Sequence, residues 1–254
     1  MKYSYPEYFS LIAYKEVLSN QVKESIKYLQ GGNFRIAENV FRDFPEEKGM
    51  RSTLRWLMYF EEFKDFEYVY IGDIDLLYVR ENPTLLERHK KVCDDNGTFY
   101  SNTVWLDDHN TRGIRFTGLH FVKSKPYYEK MLPIIKKYQE LFKYSADIPE
   151  FFNDTLGLYD NQHAIYVMMK EAGIEVMDKE KPKNVFFEYN GLHLGDSRVP
   201  GRWEQRFMED DLQKDYFKKF TMFLRDPLFW KLYFSTLPEI QNEFNILIKA
   251  GEHL

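Results

Sequence analysis

Asp73 and Asp75 stand one residue apart at the end of the apolar run Tyr68-Val69-Tyr70-Ile71. On extended backbone, side chains at i and i+2 point the same way, with Cα atoms roughly 6–7 Å apart. Both carboxylates can therefore reach one hard divalent cation. The run itself, β-branched and aromatic, reads as a buried strand, and open α/β sheets bind ligands beyond such strand ends. Asp also serves there as a turn former or helix cap, so the pair needs company before it means metal. That company comes late in the chain, in Asn190-Gly191-Leu192-His193-Leu194-Gly195-Asp196-Ser197-Arg198. His193 adds an imidazole to the two carboxylates, a reasonable donor set for a borderline metal. Gly195 adds flexibility, and Arg198 a guanidinium able to grip a phosphate through two hydrogen bonds. A metal that also binds a diphosphate accounts for all of these residues.

The elements around these residues read as an α/β fold. Leu11, Tyr14, Leu18, Val22, Ile26 and Leu29 recur at helical spacing until Gly31-Gly32, which predicts a core-facing helix over residues 4–29. A short strand is read at residues 34–41, then a helix over 50–63 carrying Arg51, Arg55 and Trp56. After the Asp73/Asp75 strand come a helix from Pro83, a strand at 98–101 and a polar loop over 102–115. A strand at 118–122 feeds a helix that begins near Pro126. A second irregular stretch, 143–158, leads to a helix over 161–172 and short strands at 174–176 and 185–187. This alternation predicts a mostly parallel sheet covered by helices.

Composition narrows the function classes. The 254 residues contain no linker-like or low-complexity tract, so residues 1–202 read as one domain and 203–254 as a helical extension packed on it. With 40 acidic and 35 basic residues the formal charge is -5, which argues against nucleic acid as the partner. Cys93 is the only cysteine, which excludes an intrachain disulfide and a cysteine metal cage. Neither a signal peptide nor a membrane span is read, so a cytoplasmic location is expected. The extension is rich in aromatics with Lys218, Lys219, Arg225 and Lys231 among them. Such a segment caps a core or makes peripheral contact with a membrane face.

Taken together, the Arg-bearing helix, the apolar strand, Asp-x-Asp, the segment Phe116-Thr117-Gly118-Leu119-His120-Phe121-Val122, the helix start Asn161-Gln162-His163-Ala164 and the late His-x-Gly-x-x-Arg resemble the GT-A-fold glycosyltransferases. The likeness, over about residues 50–200, is to the retaining family that includes the glycogenins and bacterial lipopolysaccharide galactosyl- and glucosyltransferases. The resemblance implies a hexosyltransferase of polysaccharide biosynthesis. It implies Mn²⁺ or Mg²⁺ on Asp73, Asp75 and His193, bridging the phosphates of a nucleotide-diphosphate sugar, a UDP-sugar by family default. Arg198 then contacts the phosphates, with Arg202 a weaker alternative. Arg55, or Arg51 one turn earlier, touches the donor sugar, and Thr117 and Gly118 line its pocket. The acceptor is a glycan or a lipid-linked sugar.

Two places depart from the family pattern. An Asp-Gln-Asp beside the reacting sugar is replaced by Asn161-Gln162-His163, where Gln162 matches and Asp160, one step earlier, stands in for a lost carboxylate. The family also opens with a strand and loop that grip the base, whereas residues 1–32 read here as a helix. Retention would place Gln162 behind the sugar; inversion would need a carboxylate base such as Asp107, Asp108, Glu150 or Asp154. Two other classes compete. A non-catalytic carbohydrate-binding protein of the same fold would explain the altered helix start. A haloacid-dehalogenase-type phosphatase would use Asp73 as nucleophile, but its motif does not continue as Leu76-Leu77 and it needs a late acidic pair.

Overall fold

The structure, a computed structural model, describes residues 5–27, 33–44, 53–73, 76–78, 80–102, 104–106, 114–116, 119–144, 161–176, 192–193, 218–219, 221–222, 224–235 and 238–251. It is a mixed α/β protein whose chain divides into two compact units. The first comprises Met1–Val40, Ile74–Leu85 and Phe187–Leu254; the second comprises Phe41–Asp73 and Leu86–Phe186.

In the first unit, β1 (Ser10–Ala13), α1 (Asn20–Ile26) and β2 (Phe34–Ala37) form a strand-helix-strand unit with the two strands parallel. The register runs from Ser10 opposite Phe34 to Ala13 opposite Ala37. The helix expected over residues 4–29 is thus a strand followed by a shorter helix. Leu11 and Ile12 fit either period, and pairing with β2 takes the backbone donors that a helix would have used internally. Ser19 then starts α1 by accepting the Val22 backbone N–H at 3.3 Å, an N-cap that the sequence pattern ran through. Tyr5 is buried and its hydroxyl accepts the Glu81 N–H at 3.1 Å, while Arg80 pairs with Glu7 at 3.0 Å. A second ladder pairs β4 (Leu76–Leu77) with β9 (Leu192–His193), antiparallel. Two helices, α5 (Pro227–Ser235) and α6 (Pro238–Gly251), also belong to this unit.

The second unit holds a three-stranded sheet in the order β3 (Tyr68–Ile71), β8 (His120–Lys123), β5 (Tyr100–Ser101). Both pairings are antiparallel. Alternation of strand and helix predicted a mostly parallel sheet; among the described ladders only β1 with β2 is parallel. The reason is an insertion. β3 and β5, joined through α2 (Leu85–Asn96), do run in the same direction, but β8 lies between them and opposes both. Sequence order cannot reveal which strand fills that gap.

α3 (Ser124–Tyr144) covers the sheet with Tyr127, Met131, Ile135, Tyr138 and Phe142, all buried at helical spacing. α4 (Asn161–Glu171) adds Ala164, Ile165, Met168 and Met169 to the same core and packs along β7 (Ile114–Phe116). β7 pairs with β6 (Val104–Leu106), so strand pairing reaches into what read as a polar loop over 102–115. The helix expected over 50–63 is instead two 3₁₀ turns, Thr53–Leu57 and Glu61–Asp65. Buried Thr53, Leu54, Trp56 and Leu57 are packed nearly consecutively, a demand that the tighter 3₁₀ turn meets and one α-helical face does not. Gly97 and Gly173, with φ of 62° and 64°, end α2 and α4 in the left-handed conformation. The segment 174–176, read as a strand, has no strand pairing. Residues 185–187, also read as a strand, lie outside the described residues.

Candidate functional site

Antiparallel pairing brings the end of β3, the start of β8 and the end of β5 to one edge of the sheet in the second unit. Asp73 follows β3 by two residues, His120 opens β8, and Asn102 follows β5. Arg55 reaches this edge from the first 3₁₀ turn, where its neighbours Leu54, Trp56 and Leu57 are buried and hold it in place. Its Nη1 donates to Asp73 Oδ1. Oδ2 of Asp73 has no partner among the described residues. The pair is partly open, with side-chain exposures of 13% for Arg55 and 33% for Asp73.

Beneath Arg55 lies an aromatic shelf. The guanidinium carbon stands 4.5 Å from the centroid of the Trp56 ring, a cation–π contact. Trp56 meets His120 edge to face at 6.1 Å, and His120 in turn contacts Tyr100 at 5.9 Å and Tyr127 at 5.3 Å. His120 is fully buried. Burial pushes its pKa down to about 3, with nearby His89 acting in the same direction, so the ring is neutral at physiological pH. The Asn102 amide lies 2.9 Å from His120 Nδ1; with that amide nitrogen donating, the ring proton is on Nε2. Nε2 is buried and takes no hydrogen bond. His89, on α2, is buried beside it, with Nδ1 3.0 Å from Ser101 Oγ and its ring stacked on Phe121 at 4.8 Å. These groups support the edge and are closed to solvent, so neither histidine can meet a substrate.

Gln162 lies half-buried in the first turn of α4. It precedes Tyr166 by one turn on the same helix face, and the Tyr166 ring contacts Phe116 at 6.0 Å. Phe116 is the residue before Thr117. Tyr166 thus ties the first half of α4 to the end of β7.

In the first unit, the β4/β9 ladder places His193 opposite Leu76 and Leu192 opposite Leu77. Leu76 directly follows Asp75 in the chain. The ladder thus joins two segments far apart in the sequence. Asp75 itself, Arg51, Thr117, Gly118, Asp160, Gly195 and Arg198 lie outside the described residues, as do Arg202, Asp107, Asp108, Glu150 and Asp154. Among the described residues no three His, Cys, Asp or Glu side chains form a group able to hold a metal. Cys93 is buried and its thiol is pushed up to about 11 by that burial, with Lys123 pulling the other way. It is a packed side chain, far from the thiolate a nucleophile needs.

Trp56, Asn102, His120 and the His89/Ser101 pair have no functional reading in the sequence. His120 alone carried a signal, as a polar residue opening the apolar run Phe121-Val122. Compared with known protein families, with curated proteins and with solved structures, the chain matches none.

Proposed function

We propose that this chain is a metal-dependent GT-A-type glycosyltransferase that moves a hexose from a nucleotide-diphosphate sugar to a glycan or lipid-linked acceptor, with retention. A UDP-sugar is the donor to test first. The observation that carries the reading is the β4/β9 ladder, which pairs His193 with Leu76 beside Asp75. The opening of β1, α1 and β2 lends it support, because the chain begins its described part with a paired strand rather than with the helix read from the sequence.

Asp73, Asp75 and His193 would hold Mn²⁺ or Mg²⁺. Asp73 supports this reading, since Oδ1 is held by Arg55 and Oδ2 is left for a ligand, and oxygen and imidazole donors suit these metals. When bound, the cation supplies Lewis-acid stabilisation of the charge that grows on the departing diphosphate. Arg198 would add a guanidinium to those phosphates. Arg55 neutralises Asp73 and fixes its orientation, and the Trp56 shelf fixes Arg55. Gln162 and Asp160, at the start of α4, are the residues proposed to face the reacting sugar. Work at the cytoplasmic face of a membrane would suit a lipid-linked acceptor.

The test is thermal shift of the full chain with Mn²⁺ or Mg²⁺ and a panel of nucleotide sugars, followed by transfer assays. Stabilisation by metal plus one nucleotide diphosphate is expected. Asp75→Ala should remove that stabilisation and lower transfer by about 100-fold or more while leaving circular dichroism unchanged. No response to any combination, or unchanged turnover in the variant, overturns the proposal. The anomer seen by NMR in the product separates retention from inversion.

A further inference from the structure

Each strand of the β4/β9 ladder is two residues long. An isolated pair of strands is marginally stable at best, and a slip of one residue would carry His193 to the opposite face of the ladder. A ladder this short needs its register fixed from outside. The segment 80–85 follows β4 closely in the chain and belongs to the same unit. Contacts hold it to residues 5–8, also of that unit.

Tyr5 is buried, and its hydroxyl accepts the Glu81 backbone N–H at 3.1 Å. Burial raises the pKa of that hydroxyl, while hydrogen bonds from the backbone N–H groups of Glu81 and Leu85 draw it down. One tyrosine oxygen thus grips the chain at both Glu81 and Leu85. The Tyr5 ring stacks on Tyr8 at 4.8 Å, and the Arg80 guanidinium carbon stands 5.6 Å from the Tyr5 centroid. Arg80 also pairs with Glu7 at 3.0 Å. On its other side the segment 5–10 is tied to the residue that precedes β2. Asn33 Nδ2 donates to the Pro6 carbonyl, and the Ser10 N–H donates to the Asn33 carbonyl at 2.7 Å. Contacts therefore run from the β1/β2 ladder, through Tyr5, to the residues that follow β4.

We propose that Tyr5 is a positioning residue: by pinning Glu81 and Leu85 through its hydroxyl, it sets the register of β4 against β9 and so the face of the ladder on which His193 stands. Its consequence for binding rests on the reading of His193 as a metal ligand, whereas the register is measured without metal. A tyrosine far from the metal residues in sequence would then tune metal affinity through the backbone alone.

Tyr5→Phe keeps the ring and removes the hydroxyl, which takes a buried acceptor from the Glu81 N–H. In the metal-free full chain, amide exchange at Leu76, Leu77, Leu192 and His193 should quicken by about tenfold. Affinity for Mn²⁺, titrated alone into the full chain, should fall by about tenfold. Phe244→Ala is the control for stability, since it removes a buried ring of α6 that meets Phe229 edge to face at 5.5 Å. It should lower the melting temperature at least as far as Tyr5→Phe does, and leave Mn²⁺ affinity and the ladder's exchange unchanged. Unchanged exchange or unchanged affinity in Tyr5→Phe overturns the proposal, and so do equal losses in Phe244→Ala, because stability alone would account for them. Failure of Tyr5→Phe to fold also overturns it, since the hydroxyl would then hold the whole unit rather than one ladder. A wild-type chain that takes no Mn²⁺ overturns the metal reading of His193 and this proposal with it; wild-type binding with unaltered exchange in Tyr5→Phe overturns this proposal alone.

Discussion

The two units are built on opposite terms. In the second, a connected core from Leu54 to Ile174 joins the sheet, both 3₁₀ turns' surroundings, α3 and α4, and Arg55, Asp73, Asn102 and His120 are held against it by contacts in the same unit. The first consists, among its described residues, of two-stranded ladders and short helices. Of the large apolar side chains that stand exposed among the described residues, only Phe66 and Tyr144 belong to the second unit. The rest, from Phe9 to Ile246, belong to the first. A unit rich in buried aromatics defines its side-chain geometry by packing. A unit with exposed apolar groups has surface left to give to ligands or partners.

The sharpest way to break this comparison is to cut a side chain from the second unit's core. Leu57 is fully buried, and Leu57→Ala should lower unfolding free energy by about 3 kcal/mol, the usual cost of such a cavity, measured by urea denaturation. A change below about 1 kcal/mol would show that the core is looser than its burial implies.

Next comes pH. His120 has a folded-state pKa of about 3, lowered by burial and by His89, against about 6.5 in an unfolded chain. A depressed histidine contributes stability that is complete above the unfolded value and is lost as pH falls toward the folded one. Between pH 7 and pH 5 the loss from this group should be about 2 kcal/mol. His120→Gln should flatten the stability curve over that range by the same amount; an unaltered slope would place the titration elsewhere.

A smaller effect is expected at the partly open ion pair. Arg55→Lys retains the charge but loses the planar fork and its contact with the Trp56 ring, so stability should fall by about 1 kcal/mol or less. Donor affinity, read as KM, should fall more than stability does. If the lysine variant equals wild type in both, the aromatic shelf has no positioning role.

The smallest effect tests the other side of the comparison. Phe234→Ser, on the open face of α5, should change the melting midpoint by no more than about 0.5 kcal/mol equivalent. A loss comparable to Leu57→Ala would mean that this face is part of a core.

The strand that leads to Asp73, the helices α3 and α4 and the apolar positions along them were legible in the sequence, because their periods of 2 and 3.6 are local properties. The start of the chain was not. Leu11, Tyr14, Leu18 and Val22 satisfy a helical period, yet Ser10–Ala13 pairs with Phe34–Ala37, and a pairing partner on the far side of α1 leaves no local mark. The 3₁₀ turn around Arg55 was read as a helix for a related reason, since propensity does not report how many neighbouring residues a core will bury.

The same division runs through the candidate site. The sequence by itself determined the residue types: two carboxylates two apart after an apolar strand, a late imidazole, and arginines on either side, a set whose chemistry points to a metal and a phosphate. Only the tertiary structure decided their neighbours. In one unit the β4/β9 register set His193 opposite Leu76; in the other the turn at Thr53–Leu57 put Arg55 on Asp73, and β8, inserted between β3 and β5, buried a neutral His120 against Trp56. Strand order and register are long-range choices, fixed by which apolar faces can be buried together, and no single segment contains them.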